Sequence, residues 1–383
     1  VARPPRPVIA SLPPPERRLD PALNHLVSEV TKFGFEQFSP PPIADRDLFF
    51  GHPRLVSEFG PRVIELKSQN GADSVLCPTH FLSLLKSDLQ SQQTEGPHVA
   101  KRFYLAPVVE QGAREEANQH RLRHELGIFV LGDEGWFANA HLLYSLTQIL
   151  TRLGITKFVS EINSLGCKTC QRDYQNFLQE HLRKMNSELC MNCQANLESQ
   201  SPLSVWGCSE AECRSLLADA PQIVDFLDTA CRSSLISVLE AADELGIPYS
   251  LNPTLSDSFL EEQVLFRITV QDRLIGFGGN YTFLSEYLGR QGRIPALGFV
   301  TSFEKFWDLM PAEWQIPLRH TEVFIVALGE LASRKVLKLH RELLTAGIRV
   351  AEGLLGNMGI RQQLKEAQEQ NSEIALIVGQ KEA

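Results

Sequence analysis

Hydrophobic positions along the chain switch repeatedly between helical and strand-like spacing. From Leu19 to about Phe38 they fit an amphipathic helix entering a strand. The stretch EGWFANAHLLYSLTQILTRLG puts Leu142, Leu146, Ile149, Leu150 and Leu153 on one stripe, with Gly154 as a natural stop. A second helical pattern, APQIVDFLDTACRSSLISVLEAADELG, continues towards Gly246. VVEQGAREEANQHRLRHELG, from Val108 to Gly127, reads as a strand, a polar hairpin loop and a second strand. From Leu260 to Gly298 the pattern turns to strands, with a polar turn at Gln271 and Asp272. In the tail, VFIVALG, IRVAEGL and IALIVG read as strands separated by two helices. Apolar runs without alternation, joined by helices, predict a parallel sheet in a small α/β module. Such a module normally carries more than three strands, so a truncated C-terminus is expected.

The length of 383 residues suggests two or three domains and ample material for a core. A formal net charge of -9 argues against a generic nucleic-acid coat but leaves room for a local basic face. No apolar run approaches the roughly 18 residues of a membrane span. The opening VARPPRPVIASLPPPERR lacks the apolar core of a signal peptide, and its prolines forbid a helix. It is expected to be an extended, disordered lead-in. These features, with cysteines at metal spacing, predict a reducing cytoplasm.

Cys167 and Cys170 form one CxxC pair, and Cys190 and Cys193 a second, with 19 residues between the pairs. Two such knuckles are a strong zinc signal: each loop offers two thiolates, and four close a tetrahedron about 2.3 Å from the metal. That site would be structural, since no coordination position stays open. Cys208, Cys213 and Cys231 follow as spares or alternative ligands. The competing reading is free thiols or a redox disulfide in a helical insert.

Weaker signals resolve towards structure. GFGGNY does not open a helix after a strand, so it is a poor dinucleotide loop. His120 and His124 lie in HRLRHE, which reads as a solvated face. Phe306, Trp307, Met310 and Trp314 read as core or dimer packing, with a partner patch as the alternative. Arg334, Lys335, Lys338, Arg341 and Arg349 form a modest basic set, either a solvated helix face or an RNA-binding surface.

KFVSEINSLGCKTC, LCMNC, APQIVDFL and VLEAADELGIPYSLNP resemble the insertion and core of bacterial histidyl-tRNA synthetases. From Thr321, FIVALGELASRKVLKLHRELLTAGIRVAE resembles the front of their anticodon-binding domain, and weaker matches extend from about Pro15 onward. The resemblance implies an α+β fold: a class II synthetase core, an antiparallel sheet flanked by helices, with a helical cysteine-bearing insertion and a C-terminal α/β anticodon-binding-like domain. It gives a Pro-rich arm at 1–18, core segments at 19–155 and 237–319, an insertion at 156–236 and the last domain at 320–383. It further implies a homodimer that joins histidine to ATP and passes the product to tRNA. That chemistry needs cations on the triphosphate, carboxylates on the histidine ammonium and an RNA surface.

At most chemical positions this sequence departs from the family. The α-phosphate arginine becomes Glu110 and a nearby glutamate becomes Gly112. The family's LRPE reads Leu76-Cys77-Pro78-Thr79, and the threonine that follows is Phe81. Asp257 stands where a catalytic arginine would sit, and Glu261 and Glu262 replace the tyrosines of the histidine pocket. The last ATP arginine becomes Lys305. Gly278, Gly279, Tyr281, Pro295, Gly298 and Pro41 remain as scaffold, and Arg121 falls on a motif-loop arginine in a loop shifted by one residue. A charge-assisted hydrogen bond contributes roughly 1.5–3 kcal/mol, so losing several costs many orders of magnitude even with non-additivity. The expected protein is a catalytically degenerate paralogue, homodimeric and zinc-bearing, without ATP or magnesium, that binds an unknown protein partner or tRNA. Degenerate relatives regulate the first enzyme of histidine biosynthesis by binding histidine, but loss of the histidine motif argues against a histidine sensor. A divergent active ligase and a subunit of a larger assembly are the rivals.

Overall fold

The Val108–Gly127 stretch lies in a long antiparallel hairpin, Ala100–Gln111 with Gln119–Leu131, paired from Ala100 opposite Leu131 to Gln111 opposite His120. The computed structural model describes residues 8–9, 20–67, 73–96, 98–111, 119–198, 205–206, 208, 210–218, 220–256, 260, 262–288, 293–311, 321–352, 359–370 and 372–379. It divides the chain into a unit of Val1–Pro14 and Ala22–Ala312 and a unit of Pro15–Pro21 and Glu313–Ala383.

Among the described residues, the larger unit carries a nine-stranded sheet. Outward from Gln119–Leu131 on one side lie Ala100–Gln111 and Glu36–Gln37. On the other side lie Ala296–Ser302, Arg273–Asn280, Val264–Val270, Val159–Ser164 and Tyr249–Leu251. The central pairs are antiparallel, whereas Glu36–Gln37 and Tyr249–Leu251 join parallel. The sheet is therefore mixed, with the expected antiparallel order confined to its centre. Val8–Ile9 also pairs parallel with Gln119–His120, so the proline-rich arm contributes a short strand rather than only a lead-in.

Aromatic rings lie flat across neighbouring strands where glycine opposes them. Phe129 is the register partner of Gly298, and Phe266 that of Gly278. A Cβ at Gly298 would stand 2.2 Å from the Phe129 ring, and one at Gly278 would stand 2.3 Å from the Phe266 ring. No side chain fits at either position without displacing the ring, which accounts for these two scaffold glycines.

The predicted helix forms as Trp136–Arg152, with all five stripe residues buried. It ends at Gly154, in the left-handed region at φ 79°. The second predicted helix is broken. Ile223–Phe226 is a 3-10 turn, and the helix proper, Thr229–Glu244, starts after Asp228, whose carboxylate accepts from the Cys231 N–H at 2.7 Å. An aspartate cap satisfies an otherwise orphaned amide and defines the start. The expected run of strands is interrupted by the helix Thr282–Leu288, whose first N–H donates to Asn280 Oδ1 at 2.7 Å. Gln271 and Asp272 form the predicted turn, with φ 49° and 62°.

The strand Val159–Ser164 pairs with Val264–Val270 in the main sheet, and the cysteine-bearing segment follows it. That segment carries the helices Lys168–Arg183, Met191–Glu198 and Ala211–Ala218 around buried Tyr174, Leu178, Leu182 and Leu189. Phe306, Trp307 and Met310 are buried, in keeping with core packing, while Trp314 lies outside the described residues.

The smaller unit has the predicted parallel sheet, with Val323–Ala327 between Val350–Glu352 and Ile374–Val378. Its helices are Glu330–Thr345 and Ile360–Glu369. One core joins Val323, Ile325, Ala332 and Val336, and a second joins Phe324, Val326 and Ala367. Among the described residues, no helix is long and apolar enough to cross a membrane.

Candidate functional site: a buried aromatic cluster and two cysteine clusters

Thr79, Phe81 and Tyr281 come from different elements and meet on the hairpin. Phe81 opens the helix Phe81–Glu95, and Tyr281 follows the strand Arg273–Asn280. Their rings are 5.4 Å apart between centroids, and Phe129 lies 6.5 Å from Phe81 and 5.5 Å from Tyr281. Tyr104 stacks on Phe129 at 6.3 Å. These are ordinary contact distances for aromatic pairs, and all four side chains are buried.

Under the rings lies Glu125, 1% exposed. Its Oε1 accepts from the Thr79 hydroxyl at 2.7 Å, the His80 N–H at 2.9 Å and the Tyr104 hydroxyl at 2.8 Å. Its Oε2 accepts from Arg123 Nη2 at 3.0 Å. Burial, and then the adjacent Glu125 carboxylate, push the Tyr104 phenol well above its usual range. Cys77 is buried beside this network and donates to the Pro41 carbonyl at 3.6 Å; burial pushes its thiol up to about 11. Within HRLRHE the side chains of His120 and Arg121 lie outside the described residues and Leu122 is exposed, but Arg123, His124 and Glu125 do not form a solvated face. Glu125 and Arg123 point into the core network, and His124 Nδ1 lies 3.0 Å from Glu304 Oε1. The hidden signal was position: Glu125 alternates with Arg123 and Gly127 on a strand buried on both faces.

The other chemical positions are dispersed. Lys305 Nζ donates to the Ile275 carbonyl at 3.1 Å, and burial of that end, with Arg123 nearby, lowers its pKa. Glu262 contacts Arg293 at 3.4 Å and Lys168 at 3.5 Å. Arg293 also reaches Glu134 at 3.1 Å and Glu286 at 3.3 Å. Sequence reasoning missed Glu134, whose Oε2 also accepts from Asn280 and Thr282, both at 3.0 Å. This network borders a cavity of about 310 Å³ lined by Cys167, Lys168, Thr169, Glu262, Gln263, Glu286 and Arg293. Glu110 pairs in register with Arg121 across the hairpin backbone, but the side chains of both lie outside the described residues, as do Gly112, Asp257 and Glu261.

The four cysteines Cys167, Cys170, Cys190 and Cys193 do not gather into one site. The helix Lys168–Arg183 has 16 residues, about 24 Å at 1.5 Å each, and separates the two knuckles. Each knuckle instead meets downstream ligands. Cys190 and Cys193 join Cys208 and Cys213, and Cys167 and Cys170 join Asp228 and Cys231, with ligand atoms within 4.8 Å of one another in each group. The cysteines are free thiols, and either group could hold a metal ion. The Cys193 N–H, first among several neighbours, pulls the Cys190 thiol down to about 7. The Cys231 N–H likewise leads in holding the Asp228 carboxyl down to about 2. Asp228 was missed because a lone aspartate three residues before a cysteine reads only as a helix cap.

In the smaller unit, Lys335, Lys338 and Arg341 are exposed on the helix Glu330–Thr345. Lys338 lies 3.9 Å from Glu342, and Arg349 lies 3.6 Å from Glu322. The Arg334 side chain lies outside the described residues.

Residues 322–383 match the family model described as an anticodon binding domain. A histidine–tRNA ligase from Halothermothrix orenii is 29% identical over 324 residues, covering 82% of this chain and 76% of the relative. One from Thermodesulfovibrio yellowstonii is 25% identical over 369 residues, covering 94% and 86%. Among solved structures, apo histidyl-tRNA synthetase of S. aureus superposes with a TM-score of 0.76 at 21% identity, covering 100% of this chain and 92% of the other. A Bacillus halodurans protein named as an ATP phosphoribosyltransferase regulatory subunit/histidyl-tRNA synthetase gives 0.67 at 14%, covering 98% of each. With its mixed sheet flanked by helices and a C-terminal segment that matches the anticodon binding domain, the chain has the class II aminoacyl-tRNA synthetase fold and is similar over most of its length to histidine–tRNA ligases.

Proposed function

We propose that this chain is a non-catalytic histidyl-tRNA synthetase-like protein, a homodimer of the reducing cytoplasm that acts as a binding, regulatory or structural partner. The observation that carries this reading is the closed aromatic cluster of Phe81, Tyr281, Phe129 and Tyr104 over Glu125. Thr79, at a substrate-binding position of the family, has no charge to offer a histidine ammonium, and its hydroxyl is engaged by Glu125. Lys305, at an ATP position, is turned onto a backbone carbonyl. The charge reversals at Glu110 and Asp257 act in the same direction, because carboxylates repel a polyphosphate. Any metal held by the cysteine clusters is structural in this reading.

Histidine-dependent ATP–pyrophosphate exchange tests it. Exchange at background level is expected, together with no ATP binding by calorimetry. Exchange at a synthetase-like rate would overturn the reading in favour of a divergent histidine–tRNA ligase, the alternative supported by the activity named for the relatives. Copurification from native cells separates a regulator, a role that the Bacillus halodurans protein's name carries, from a component of a larger assembly.

A further inference from the structure

We propose that the insertion binds two zinc-type divalent cations, one on Cys190, Cys193, Cys208 and Cys213 and the other on Cys167, Cys170, Cys231 and the Asp228 carboxylate. A tetrahedron with arms of about 2.3 Å has edges of about 3.8 Å. The Cys190 and Cys208 sulfurs are 3.8 Å apart, and those of Cys167 and Cys170 are 3.6 Å apart. Each set therefore already has a ligand edge close to the one a tetrahedral ion requires, and it draws ligands from separate segments.

A backbone amide faces one sulfur in each set. The Cys190 N–H donates to Cys213 Sγ at 3.0 Å, and the Asp228 N–H donates to Cys170 Sγ at 3.2 Å. Amide donors stabilise anionic sulfur, and supporting hydrogen bonds of this kind orient metal ligands. Four anionic ligands within 4.8 Å repel one another unless a cation sits between them. In the second set Asp228 divides its two oxygens. Oδ1 caps the helix Thr229–Glu244 through Cys231 N, and Oδ2 lies 3.4 Å from Cys167 Sγ, on the side of the sulfurs. The fourth ligand there is an oxygen, so the two ions differ in donor set.

The sites also differ in mechanical role. The all-sulfur site ties together Met191–Glu198 and Ala211–Ala218, both inside the insertion. The mixed site joins the start of Lys168–Arg183 to the start of Thr229–Glu244, where the chain leaves and re-enters the core. It sits between two cavities, with Cys231 lining one of about 260 Å³ and Cys167 lining one of about 310 Å³. Solvent therefore reaches the mixed site more readily, and a chelator should remove that ion first.

The test is elemental analysis of the full chain, purified under reducing conditions with zinc supplied. Two zinc ions per chain are expected. Cys231→Ser should leave one, and Cys208→Ser with Cys213→Ser should leave the other. X-ray absorption of the unmodified protein keeps the test open should a variant fail to fold. Its zinc shell should average seven sulfurs and one oxygen over two ions. One zinc per chain, no zinc, or two zinc ions retained in Cys231→Ser would overturn the proposal, as would an absorption shell without the mixed site.

Discussion

Glu125 is the side chain on which the hydrogen-bond network around Thr79 and Tyr104 converges. It holds Thr79, His80 and Tyr104 on one oxygen and Arg123 on the other, all away from bulk water. Removing it takes the acceptor from three donors and the carboxylate from Arg123, which keeps its bond to the Pro78 carbonyl at 3.3 Å, and breaking a buried ion pair from one side costs about 3–5 kcal/mol. Glu125→Ala should therefore destabilise the fold by that amount in urea titration, while Glu125→Gln, which keeps an acceptor, should lose less. An unchanged midpoint for Glu125→Ala would mean that the network is not held as the hydrogen bonds indicate.

Two helices decide how the elements are used. Lys168–Arg183 is a rigid spacer: it holds the first CxxC pair away from the second and forces each to find partners further along the chain. Glu330–Thr345 packs Ala332 and Val336 into the smaller unit and presents Lys335, Lys338 and Arg341 outward. If that face contacts the tRNA backbone, each phosphate contact contributes about 0.7–0.9 to the log–log salt slope. Lys335→Glu with Lys338→Glu should weaken tRNA binding and reduce the slope by about 1.4–1.8, with the fold intact because both residues are exposed. Filter binding across a salt series measures this, and an unaltered slope would assign the helix to an ordinary solvated face.

At the scale of the whole molecule, the two units have separate hydrophobic cores. The larger is built on a nine-stranded sheet among the described residues, the smaller on three strands and two helices. Units of such different size bury different fractions of their surface and need not melt together. Calorimetry of the full chain should resolve two transitions, and deleting residues 321–383 should remove the smaller while leaving the larger in place. A single transition, lost entirely on that deletion, would contradict independent cores.

The sequence by itself determined the elements with strong local signals and the resemblance to histidyl-tRNA synthetases. The Leu142–Leu153 stripe, the turn at Gln271 and Asp272 and the three tail strands all formed where periodicity and turn chemistry put them, because those signals are local. The sequence did not determine who partners whom. Glu262 pairs with Arg293 and Lys168, and Arg267 instead grips Glu161 at 2.6 Å; that choice depends on chain segments brought together from far apart. The same reason divides the cysteines. Spacing shows that Cys167 with Cys170, and Cys190 with Cys193, can each offer two ligands on one loop. Only the direction and length of the intervening helix decide that the two pairs join different ligand groups.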